Sequence, residues 1–175
     1  MGIRFEHLDE VTRPFMTGEI DADITSGGLY LSNYLNDQGQ QRWPTLLRQA
    51  SQSGTDDTLA QILRTERSFK LQVERRKPKG GFTMVSVPVT AAQTLAESQF
   101  NMYYMRGLAL RAIAEGRFLV VYRGKVVDNP RPESERLIGS QLDPKEVLQA
   151  LRATKGVEPS IGIPLPNSGL TVRLS

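Results

Sequence analysis

Along much of this chain apolar residues recur every three or four positions, the period of a helix with one buried face. Phe5, Leu8, Val11, Phe15, Met16, Ile20 and Ile24 form the first series. Pro14 interrupts it, because proline inside a helix loses a hydrogen bond and clashes with the preceding turn. The pattern predicts a short helix before Pro14 and a second from about Pro14, with Thr12 as its cap and Gly27-Gly28 as its stop. Leu29-Tyr30-Leu31 is a short apolar run without an assigned element. Trp43, Leu46, Leu47 and Ala50 then make a helical stripe closing at Ser53-Gly54. Leu59, Ile62 and Leu63 make the next, opened by Asp56 or Asp57.

The period then falls to two. Phe69, Leu71 and Val73 alternate with Lys70, Gln72 and Glu74, and Phe82, Met84, Val85, Val87 and Val89 follow the turn residues Pro78-Lys79-Gly80-Gly81. This predicts a β-hairpin over 68–89, with its second strand ending at an edge because Pro88 has no amide donor. Thr90 opens the longest helix, 90–115, with Gln93 in the place of a capping-box partner and Gly116 as the stop. Phe100, Met102, Tyr103, Tyr104, Met105, Leu108, Leu110 and Ile113 surround nearly its whole circumference. A helix that is apolar all round must be covered all round. A small domain readily covers one or two faces, so a second copy is expected against Phe100, Tyr103, Tyr104, Met105 and Leu108.

Phe118–Tyr122 reads as a buried strand that Arg123-Gly124-Lys125 turns towards Val126-Val127. Asp128–Glu133 reads as loop, and Asp143-Pro144 as a helix start before Val147, Leu148 and Leu151. Prolines and glycines alternate with apolar residues from Gly156 onward, so 156–175 is expected to be an extended tail. The fold class is therefore α+β. A single domain spans 1–155, with a helical arm (1–28), a projecting hairpin, a long central helix and a short sheet, and the tail follows it.

Charge changes this picture more than composition does. Residues 1–60 carry four basic and nine acidic side chains, a net of −5, whereas 61–127 carry twelve basic and four acidic, a net of +8. Such polarity serves an external polyanion, a complementary contact between copies, or pairing of the two segments within one fold. The chain has no cysteine, which excludes disulfides, thiolate metal sites and cysteine nucleophiles. No apolar run is long enough to span a membrane, and no secretory signal opens the sequence. A cytoplasmic protein, or one assembled in a virion or protein particle, is expected.

Candidate chemistry is sparse. The only histidine, His7, stands in the arm, away from any partner set for nucleophilic catalysis. Glu19, Asp21 and Asp23 come closest to a set of oxygen ligands, but residues two apart diverge on a helix. A general acid/base pair for an enzyme, the third function considered, could be drawn from Glu133 and Glu135 in the loop, though nothing singles them out. No phosphate loop is present. Neither a catalytic residue, a metal ligand, a cofactor nor a small-molecule substrate is assigned. The strongest constellation is Arg75-Arg76-Lys77-Pro78-Lys79 at the hairpin tip, reinforced by Arg64, Arg67 and Lys70. A basic β-ribbon can enter a groove or track phosphates, which makes nucleic-acid binding the second function expected.

The order of arm (1–28), projecting hairpin (68–89) and long helix (90–115) resembles the arm, extended loop and spine helix of shell proteins of the tailed-phage capsid type. The likeness lies in element order, not in residue motifs, and the chain is too short for their remaining domains. It implies the first function expected, a structural protein that self-assembles through arm, hairpin and tail.

Overall fold

The apolar series from Phe100 to Leu108 lies in the middle of the structure, on a helix that four other helices and one strand touch. The computed structural model describes residues 2–154 and 168–175. Its helices are α1 (Thr12–Ser26), α2 (Asp37–Ser53), α3 (Asp56–Thr65), α4 (Ala91–Glu115), α5 (Pro132–Leu137) and α6 (Pro144–Ala153). Its strands are β1 (Gln72–Arg76), β2 (Phe82–Ser86), β3 (Leu119–Arg123), β4 (Gln141–Leu142) and β5 (Leu170–Leu174). The fold is α+β, as the sequence predicts, with two small antiparallel sheets: β1-β2, and the three-stranded order β4-β3-β5.

α1, α3, α6 and β5 all pack on α4. Gly107 permits the closest approach, since a Cβ there would stand 2.7 Å from the backbone nitrogen of Met16 in α1. Phe100, Tyr103, Tyr104, Met105 and Leu108 have no exposed surface. This corrects the expectation that they form an interface between copies: they are the core of one chain. Each buried side chain of this size contributes roughly 1.5–3 kcal/mol relative to exposure.

The rest of the cover on α4 comes from the two ends of the described chain. The Phe5 ring packs 5.3 Å from Phe100 and 4.6 Å from Tyr104, centroid to centroid. Arg4 N–H donates to the Gly124 carbonyl at 2.9 Å, and the Tyr122 hydroxyl donates to the Arg4 carbonyl at 2.7 Å. At the other end, Leu170, Val172 and Leu174 of β5 are buried beside β3. Asn101 Nδ2 on α4 donates to the Leu170 carbonyl at 2.8 Å, and the Tyr104 hydroxyl to that of Val172 at 3.1 Å. The last strand is thus a core element rather than an extended tail, while residues 156–167 of that expected tail lie outside the described residues.

Local boundaries shift for identifiable reasons. Pro14 breaks nothing, because it sits in the first turn of α1, where no intrahelical donor is required. Asp9 caps that helix instead of Thr12, its Oδ1 accepting from Thr12 N–H at 3.0 Å. Thr55, not Asp56 or Asp57, caps α3 in a capping box with Thr58. Thr90 precedes α4 without a side-chain cap. Val126 is solvent-exposed and Val126-Val127 form no strand, since β4 and β5 already flank β3. Part of the expected 128–133 loop is the start of α5. Gly27, Gly116 and Asp143 end or begin their helices as expected.

Candidate nucleic-acid interface

The hairpin is shorter than 68–89 but stands where the alternation placed it. Gln72 to Arg76 pair with Ser86 to Phe82 in antiparallel register, and the turn runs through Lys77–Gly81. Gly80 and Gly81 adopt φ of 91° and 79°, left-handed backbone that a side chain would strain. Alternate residues of a strand point to opposite faces. Val73, Arg75, Thr83 and Val85 therefore share one face, and Glu74, Arg76, Phe82 and Met84 share the other. Only the cross-strand pair Val73–Val85 is half-buried; every other residue of the two strands is exposed.

Arg75 and Arg76 thus project from opposite faces of one ribbon, with Lys77 and Lys79 exposed beyond them in the turn. Arg64, Arg67 and Lys70 stay nearer the base. Arg64 Nη2 donates to Gln93 Oε1 at 2.7 Å, and Lys70 Nζ donates to the Asn33 carbonyl at 3.1 Å. Arg67 takes φ 51°, with its carbonyl held by Asn36 Nδ2 at 2.8 Å. The predicted cations therefore divide into a tip group and a base group.

The charge asymmetry resolves unequally. Much of the acidic segment is neutralised inside the fold. Arg106 of α4 holds Glu19 and Asp23 of α1, each at 2.6 Å, and Arg152 of α6 donates to Glu19 at 3.0 Å. Arg111 pairs with Asp9 at 2.8 Å, and Arg48 with Asp21 at 2.7 Å. Burial raises the Glu19 and Asp23 pKa values, but the arginine hydrogen bonds outweigh it and hold both below the ordinary carboxylate range. Among the described residues, none of Arg64, Arg67, Lys70, Arg75, Arg76, Lys77 and Lys79 forms an ion pair. The hairpin cations are left to solvent or to a partner.

The other candidates are dispersed. Asp21 faces Arg48 while Glu19 and Asp23 face Arg106, so the three carboxylates do not converge, and no metal-holding cluster occurs among the described residues. Glu135 pairs with Arg123. His7 donates its backbone N–H to the Tyr104 hydroxyl at 3.2 Å, and burial lowers the pKa of its partly covered ring. No helix among the described residues is long and apolar enough to cross a membrane. Comparison with known proteins returned nothing: no family model, no curated protein and no solved structure matches the chain.

Proposed function

We propose that this protein binds nucleic acid through the β1-β2 hairpin. One observation carries the reading: the cations on this ribbon face outward, unpaired, while the rest of the fold pairs many of its charges internally. Guanidinium groups on both faces suit a ribbon entering a groove between two phosphate rows, and Lys77 and Lys79 extend the same potential past the turn. The setting is the cytoplasm or the interior of a particle, wherever the polyanion lies.

A labelled 20-base-pair duplex titrated at increasing salt tests this. Affinity is expected to fall steadily with salt, by roughly 0.9 log unit per phosphate contact for each log unit of salt. Arg75→Ala with Arg76→Ala should weaken binding about tenfold or more and reduce that slope by about two. Absence of binding at low salt to the duplex and to its separated strands alike would end the proposal.

Self-assembly is the second reading. With the interface on α4 removed, it now rests on the hairpin: Phe82 and Met84 are more than half exposed, and an isolated two-stranded ribbon leaves both edges unpaired. Light scattering of the free protein separates the two. Large particles without nucleic acid favour assembly, and a monomer that binds the duplex favours the first reading.

A further inference from the structure

At the root of the hairpin, where the chain leaves β2 and enters α4, lies a cavity of about 300 Å3. Six of its lining residues carry hydroxyl groups: Tyr30, Ser32, Tyr34, Thr90, Thr94 and Ser98. They come from two distant parts of the sequence, and no charged side chain lines the space. Ser98 donates to the Leu95 carbonyl at 3.2 Å, and Ser32 Oγ accepts from Tyr34 N–H at 3.3 Å. The hydroxyls of Tyr30, Tyr34, Thr90 and Thr94 make no hydrogen bond to any described residue.

Such a lining suits a flat, uncharged group with donors and acceptors around its edge. Hydroxyls can serve as either partner, and the tyrosine rings offer flat faces. The surroundings say what the group is attached to. Lys70 is anchored beside the cavity, its N–H donating to the Tyr34 carbonyl at 2.9 Å and its Nζ to the Asn33 carbonyl at 3.1 Å. The first turn of α4 has no acidic residue to repel a phosphate. A neutral cavity with the Lys70 cation beside it, at the base of a basic ribbon, matches one nucleotide: base inside, phosphate outside.

We infer that this cavity takes a single unpaired base, so that the protein prefers single-stranded over duplex nucleic acid. The inference rests on the nucleic-acid reading of the hairpin. A base inside a duplex is stacked and paired, and reaches such a cavity only at the cost of unstacking. A single strand tracked along either face of the ribbon, by Arg75 on one or Arg76 on the other, would deliver a base to the root without that cost.

Binding of a labelled single-stranded 12-mer and of its duplex tests the inference in the wild type, in Thr94→Trp and in Arg75→Ala with Arg76→Ala. Thr94 is exposed at the mouth, so an indole there fills the space without removing a contact of the fold. The wild type should bind the single strand at least about fivefold more tightly than the duplex. Thr94→Trp should erase that preference while changing duplex affinity less than about twofold. The hairpin variant should weaken both. If Thr94→Trp unfolds, Tyr30→Phe with Tyr34→Phe removes two free hydroxyls and should lower single-strand affinity alone, by about fivefold. Equal affinity for the two forms, or a preference that survives filling the cavity, overturns this inference and leaves the hairpin reading standing. No binding of either form overturns the hairpin reading itself.

Discussion

Arg106 shows how one side chain organises three helices. It is 3% exposed, it holds Glu19 and Asp23, and its guanidinium lies 4.8 Å from the Tyr103 ring centroid. Tyr103 in turn donates its hydroxyl to Asp23 at 2.7 Å, and Arg152 completes the set on Glu19. A buried charge is tolerated only when paired, so removing the central cation leaves Glu19 with Arg152 alone and Asp23 with only the Tyr103 hydroxyl. Arg106→Met is therefore expected to cost about 3–5 kcal/mol in denaturant unfolding. Arg48→Ala, which breaks the solvent-exposed pair with Asp21, should cost less than about 1 kcal/mol. Equal effects would show that burial does not set the difference.

The two sheets contribute oppositely at the scale of elements. The three-stranded sheet is part of the core: Leu119 and Val121 of β3 and Leu170, Val172 and Leu174 of β5 are all buried. In the hairpin strands only Val73 and Val85 are even half-buried, and these two face each other across the pair. Deleting 170–175 removes three core side chains and the longer flank of β3, and cooperative thermal unfolding should be lost. Replacing 74–84 by Asn-Gly keeps Val73 opposite Val85 across a tight turn, and the melting temperature should move by no more than about 2 °C. A hairpin deletion as damaging as loss of β5 would contradict this division of labour.

At the scale of the molecule, paired carboxylates make stability depend on acid. Glu19, Asp23, Asp9 and Asp57 are each raised in pKa by burial, and each is brought below its ordinary value by the hydrogen bonds it accepts. A carboxylate whose folded pKa lies below the unfolded value stabilises the fold above the unfolded pKa, about 4, and loses that contribution as pH falls through the folded value. Asp56 runs the other way: burial raises its pKa, so its ionised form opposes folding. Four outweigh one. Melting temperature should be nearly level from pH 7 to about 5 and fall steeply below about 4, with a shallower acid limb in Arg106→Met. A melting temperature that rises into acid would show that Asp56 dominates.

Periodicity alone determined the helices that bury one face, the hairpin and its exposed cations, because a local pattern of apolar and polar residues suffices when an element has one inside and one outside. Thus the stripe Trp43, Leu46, Leu47 and Ala50 is buried as read, and Arg75, Arg76, Lys77 and Lys79 are exposed as read. What covers the all-apolar stretch of α4 could not be read locally. Phe5 and the strand Leu170–Leu174 reach it from far along the chain, and long-range contact leaves no periodic trace. The same holds for Arg106 among the acids of α1 and for the hydroxyls gathered from 30–34 and 90–98 at the hairpin root. Only the tertiary structure decided these, since it alone sets which distant residues come to share one volume, and whether a charge or a hydroxyl there finds a partner.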